Sequence, residues 1–121
     1  MKTLAYIGLL LVSSMSFAAE TLDAEAVKKL LTGKTALALS VGYSAELKNY
    51  FSPDGKLYRN LDGKITVGTW SVEEDGTHCV QNIPGGCGKI VSNGDGTYDR
   101  VNNKTGEVKA RWFALVDGKD F

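Results

Sequence analysis

The chain reads as an all-β domain: an antiparallel up-and-down meander of about eight strands closed into a barrel, with one N-terminal α-helix. Three observations predict this. After Gly33 the hydrophobic period changes from 3.6 to 2. Turn signals then recur at short intervals, among them Pro53-Asp54-Gly55, Asp62-Gly63, Asp75-Gly76, Pro84-Gly85-Gly86, Asn93-Gly94-Asp95-Gly96 and Asp117-Gly118. No linker is long enough for a crossover helix, so neighbouring strands should run antiparallel. Such a meander must hide its edges. Closure into a barrel is the simplest solution, and a β-sandwich is the alternative.

The chain of 121 residues opens with a charged start, Met1-Lys2, an apolar stretch from Leu4 to Phe17, and a small-x-small site, Ser16-Phe17-Ala18. This pattern predicts a signal peptide over 1–18, cut before Ala19 or, second, before Glu20. A membrane anchor would need about 20 apolar residues, more than this stretch holds. The expected mature protein, 19–121, is then one periplasmic or secreted domain with no anchor. Of the 14 basic residues only Lys2 lies in the leader, leaving 13 against 14 acidic ones. A net charge near zero, scattered singly, offers no field to draw nucleic acid or anionic lipid.

The helix is expected over Thr21–Thr32, where Leu22, Ala26, Val27, Leu30 and Leu31 share a face. Thr21 or Asp23 can cap its start, and Gly33 can end it. It either packs on the core or lies as a lid over one barrel end. Strands are expected near 34–41, 45–51, 56–59, 64–72, 78–83, 87–92, 97–101 and 107–116. The first has a bulky face (Thr35, Leu37, Leu39, Val41) and a small one (Ala36, Ala38, Ser40). If the small face points inward, it leaves room inside. In 64–72, Ile65 and Val67 are apolar at odd positions but Trp70 and Val72 at even ones, which predicts a β-bulge at Gly68-Thr69. In the last strand Val108, Ala110, Trp112, Ala114 and Val116 are expected on one face.

Cys79 and Cys87, an even pair in an exported chain, read first as a hairpin disulfide contributing roughly 2–3 kcal/mol. Free thiols or half a zinc site are the alternatives, and zinc needs more ligands than these two and His78 supply. His78 is the only histidine. It points away from Cys79 along a strand, and a surface or barrel-mouth position is expected for it. The segment Asn93–Asn103 lacks the Gly and Glu spacing of a calcium loop. Gly85-Gly86-Cys87-Gly88 lacks the Lys-Ser/Thr and helix of a phosphate cradle. No motif calls for a cofactor or metal, and no carboxylate pair stands out for glycoside hydrolysis.

Tyrosines are more informative, because a ring with a polar tip suits a binding pocket. Tyr43, Tyr50, Tyr58 and Tyr98 come from different parts of the chain and could converge at a barrel mouth. Alternation equally allows Tyr50 to face solvent with Glu46 and Lys48.

Gly68-Thr69-Trp70 resembles the Gly-x-Trp motif of lipocalins, and Leu31-Thr32-Gly33-Lys34 before a strand resembles the start of avidin-type barrels. These short matches imply a calycin-like barrel and no binding residues. Leu31-Thr32-Gly33-x-Thr35, Tyr50-Phe51-x-Pro53-Asp54-Gly55, Gly68-Thr69-Trp70-x-Val72, Asp75-Gly76-x-x-Cys79 and Cys87 together resemble a group of small exported bacterial proteins of uncharacterised function. That resemblance covers most of 19–121 and implies an exported β-domain without a stated activity.

The reading that follows is a non-enzymatic binding or accessory domain, expected to be monomeric, for a small apolar or amphipathic ligand at Tyr43, Tyr50, Tyr58 and Tyr98. The alternative is an inhibitor of an envelope hydrolase that presents the disulfide-pinned loop 81–86, with Gln81, Asn82, Ile83 and Pro84 at its tip.

Overall fold

The computed structural model describes residues 19–41 and 45–121. The signal peptide expected over 1–18 and Tyr43 lie outside the described residues. Among those described, the elements are β1 (Glu20–Thr21), α1 (Ala24–Leu31), β2 (Lys34–Ser40), β3 (Ala45–Phe51), β4 (Lys56–Leu61), β5 (Lys64–Val72), β6 (His78–Gln81), β7 (Cys87–Ser92), β8 (Tyr98–Asn102) and β9 (Val108–Asp117). From β2 to β9 each strand pairs antiparallel with its chain neighbour, and β9 returns to β2. The result is a closed eight-stranded up-and-down barrel rather than a sandwich. β1 adds two residues to β7, opposite Ser92 and Val91.

Turn chemistry sets this register. Asp62 and Gly63 join β4 to β5 with φ of 53° and 84°, the positive angles of a two-residue hairpin. Asp54, Asp75 and Asp95 each accept a hydrogen bond from the backbone N–H two residues on, at 3.0, 2.9 and 3.0 Å. The aspartate that precedes each turn glycine thus folds its own turn.

Asp23 caps α1, its carboxylate accepting from Ala26 N at 2.9 Å. Thr21 belongs to β1 instead. The chain passes from β7, where β1 pairs and Leu22 N donates to Ile90 O, to the start of β2. α1 therefore lies across that end of the barrel. Val27 and Leu31 are fully buried in one cluster with Phe51, Leu57, Ile90 and Trp112. The helix is part of the core and closes this end.

On β2 the small face does point inward: Ala36 and Ala38 are buried while Leu39 is exposed. Thr35, on the outer face, is covered by the C-terminal tail. Its hydroxyl donates to Gly118 O at 2.6 Å and accepts from Asp120 N at 3.1 Å.

Two expectations about strand phase are corrected. β5 has no bulge at Gly68-Thr69, because its pairing with β4 and β6 runs unbroken. Ile65 and Val67 face outward, 47% and 51% exposed, while Trp70 and Val72 pack on the core. The apparent phase slip records apolar residues placed on the outer surface. Gly68 shares the inner face with Trp70, and a Cβ there would sit 2.5 Å from Gln81 O and 2.8 Å from Ile83 Cγ2, so the position has no room for a side chain. The register shifts lie in β9 instead. Against β2 the partner jumps from Ala114 to Trp112, and against β8 from Ala110 to Val108. Extra residues at Phe113 and Lys109 bend the strand at the barrel wall. Hence Leu115, not Ala114 or Val116, follows Trp112 into the core, and Phe113 is left exposed.

Candidate functional site

At the end opposite α1 the barrel encloses a cavity of about 390 Å³. Small residues make the room: Ala38 and Ser40 on β2 and Ala110 on β9, which pairs with Ser40, line the wall. Phe51, Val80 and Trp112 form an apolar floor, with Leu47 on the side. The remaining lining is polar. Asn49 and Arg59 enter from neighbouring strands β3 and β4, where they pair directly across the ladder. Arg100 on β8 and Lys109 on β9 complete an arc under the loop that joins β6 to β7.

These groups are held to one another and to that loop. Arg59 Nε donates to Asn49 Oδ1 at 2.8 Å, and its Nη1 donates to Pro84 O at 2.7 Å. Arg100 donates from Nη1 to Gly85 O at 2.9 Å and from Nη2 to Gly86 O at 2.7 Å and His78 O at 3.1 Å. Lys109 Nζ donates to Gly85 O at 2.7 Å and Cys87 O at 3.3 Å. Carbonyls can gather this way because the loop takes positive φ at Asn82, Gly85 and Gly86. The Cys79–Cys87 disulfide ties the loop's base on the outer face.

Electrostatics follow from burial. Arg100 is pushed down to about 10 by desolvation and then by the charge of Arg59. Lys109 is lowered by desolvation and then by Arg100. His78 is corrected from a surface or mouth position to the centre of the barrel, 1% exposed, its ring 5.2 Å from that of Phe51 and 6.0 Å from that of Trp112. Burial, then the charge of Arg100, lowers it to about 3. Its Nδ1 accepts from Arg100 Nε at 3.0 Å, so the neutral ring carries its proton on Nε2. That atom has no hydrogen-bond partner among the described residues. A histidine held neutral and engaged as an acceptor is poorly placed to act as a base at neutral pH. Both cysteines are committed to the disulfide. Among the described residues no three His, Cys, Asp or Glu side chains are grouped to hold a metal.

The tyrosine cluster expected at the mouth does not form from the described residues. Asn49 and Arg59 take the inward positions, so strict alternation sends Tyr50 and Tyr58 outward, their rings 6.1 Å apart. Lys119 of the C-terminal tail lies over Tyr58 at 5.2 Å. Tyr98 faces inward but packs against the core, opposite Trp112. None of the three lines the cavity. Of the loop residues, Pro84 lines the cavity, Ile83 packs against the core, and Gln81 and Asn82 are exposed. Sequence reasoning missed Arg59, Arg100 and Lys109 as site residues. For Arg59 a signal was present: it shares its strand face with Leu57 and Leu61, as a solvated charge would not.

No protein-family model, no curated protein and no solved structure matches the chain.

Proposed function

We propose that this chain is a non-enzymatic binding domain of an oxidising, extracytoplasmic compartment, holding one small amphipathic molecule in the open half of its barrel. The observation that carries the reading is the cavity itself. At about 390 Å³ it falls within the ordinary range of small-molecule sites, roughly 300–1,000 Å³. An apolar floor beneath a polar arc suits a molecule with two unlike ends. The Cys79–Cys87 bond is compatible with an oxidising location. No described helix is long and apolar enough to cross a membrane.

The test is native mass spectrometry of protein purified from the periplasm. A bound small molecule is expected, and Ala110→Phe, which fills the cavity, should expel it with the far-UV circular dichroism unchanged. Protein that emerges empty in both forms would refute the reading. The inhibitor reading is supported by one observation: the loop that carries exposed Asn82 and Pro84 is held by the disulfide and by three cations. It predicts that Asn82 and Pro84 substitutions abolish capture of a hydrolase while Ala110→Phe leaves capture intact.

A further inference from the structure

We infer that the cavity recognises an oxyanion: the carboxylate or phosphate end of an amphipathic organic acid, seated against Arg100 and Lys109 with Arg59 beside them, its apolar body lying on Trp112, Val80 and Leu47. This rests on the binding reading above and specifies the chemistry of the ligand.

The first argument is charge balance. The ion pairs among the described residues are Lys34–Asp117, Lys48–Asp120, Lys89–Asp75 and Arg111–Asp99. Arg100 and Lys109 take part in none of them. Every acceptor that Arg100 meets is neutral: the Nδ1 of an uncharged imidazole and three backbone carbonyls. Both acceptors of Lys109 are carbonyls as well. Such partners satisfy N–H groups but leave the net positive charge in place. Among the described residues the one carboxylate in the cavity lining is Glu107, an exposed residue.

The second argument is contrast within one strand pair. On the outer face of β8 and β9, Arg111 holds Asp99 in a bidentate pair at 2.7 and 2.9 Å. On the inner face, the next residue of β8 is Arg100, buried, and no acid among the described residues pairs with it. Buried positive charges close to one another repel in a medium of low dielectric, and burial of a charge is costly unless an opposite charge meets it. A ligand oxyanion would supply that charge.

The third argument is donor capacity. A guanidinium carries five N–H donors and an ammonium three. Arg100 uses four in the bonds above and retains one on Nη1. Lys109 uses two and retains one. Both groups line the same cavity, so the remaining donors are available to one oxyanion. A planar fork beside a point charge is a common way to hold carboxylate or phosphate.

Calorimetric titration of the oxidised, processed protein with octanoate, octyl phosphate and octanol tests this. At least one of the two acids should bind more tightly than octanol by roughly tenfold or more, the worth of one charge-assisted hydrogen bond. The margin should shrink as salt is raised. Lys109→Met, which keeps the aliphatic stem, should shrink it too. Whichever acid binds better identifies the head group, carboxylate or phosphate. Octanol binding as tightly as both acids would overturn the inference and leave the binding reading intact, since the cations would then serve only to hold the loop. No binding of any of the three, with native mass spectrometry also finding the cavity empty, would overturn both.

Discussion

At the helix end of the barrel, Val27, Leu31, Leu57 and Ile90 have no accessible surface at all. At the other end the same eight strands turn Asn49, Arg59 and Arg100 inward around open space. The two register shifts in β9 apart, both ends obey the same alternation and the same ladder, so the pairing pattern alone does not explain the contrast. What differs is whether the inward side chains can satisfy each other by contact alone. Apolar groups at the lower end do, and α1 seals them from water. Polar groups at the upper end must find acceptors, and they find them in one another, in His78 and in the backbone of one loop. Buried apolar contact is therefore concentrated at the closed end and the proposed binding site at the open one, a division common where a site must stay accessible.

The largest expected effect tests the closed end. Leu31→Ala removes a fully buried side chain under the core and should cost about 2–5 kcal/mol in urea unfolding. Next is the disulfide. Opening its short loop should cost roughly 2–3 kcal/mol. The comparison is sharper if hydrogen exchange then rises in 82–86 and stays unchanged at Val27 and Leu31. Exchange rising equally at both ends would show the barrel to be one cooperative body with no division.

His78 lies at the junction and gives a pH test. Unfolded, it takes a proton near 6.5; folded, only near 3. Between those values the unfolded chain binds the extra proton, so stability falls as pH falls below 6.5 and is flat above. From pH 6.5 to about 5, where carboxylates with ordinary values near 3.8 remain ionised, the loss should be about 2 kcal/mol. His78→Phe should flatten that stretch of the profile. An unchanged slope would mean that His78 is not the group that takes up the proton. The smallest effect belongs to the open end: Val108→Ala, at a half-buried residue beside existing space, should cost less than about 1 kcal/mol. A cost matching that of Leu31→Ala would erase the contrast between the ends.

Much of the frame was legible in the sequence. Asp-Gly and Asn-Gly turns, period-2 runs and the absence of crossovers led to eight strands and closure. The alternation of Ala36, Ala38 and Ser40 with larger residues predicted the room inside. Cysteines eight apart predicted the bond that β6 and β7 make. The site was less legible, because hydropathy is an unreliable guide to facing when a barrel interior is partly polar. Arg59 and Arg100 looked like single surface charges, yet they point inward. Tyr50 and Tyr58 looked like pocket residues, yet they lie outside. Ile65 and Val67 suggested a bulge because apolar residues were assumed to face in. The bulges in β9 left no local mark, since Phe113 and Lys109 are unremarkable strand residues and their displacement is set by the partner strands.

The seam between β2 and β9 has a consequence for the order of events in folding. Thr35 meets Gly118 across 83 positions of sequence, so the first barrel strand finds its second partner only in the last. Hairpins such as β4–β5 are local and can form early, but the ring cannot close until the C-terminal strand is present. Contacts of such long sequence separation are entropically costly and slow. On the extracytoplasmic reading proposed above, which has the chain cross a membrane before it folds, this delay would be protective: a growing or threading polypeptide lacks the one strand that would lock it into a barrel too wide to pass.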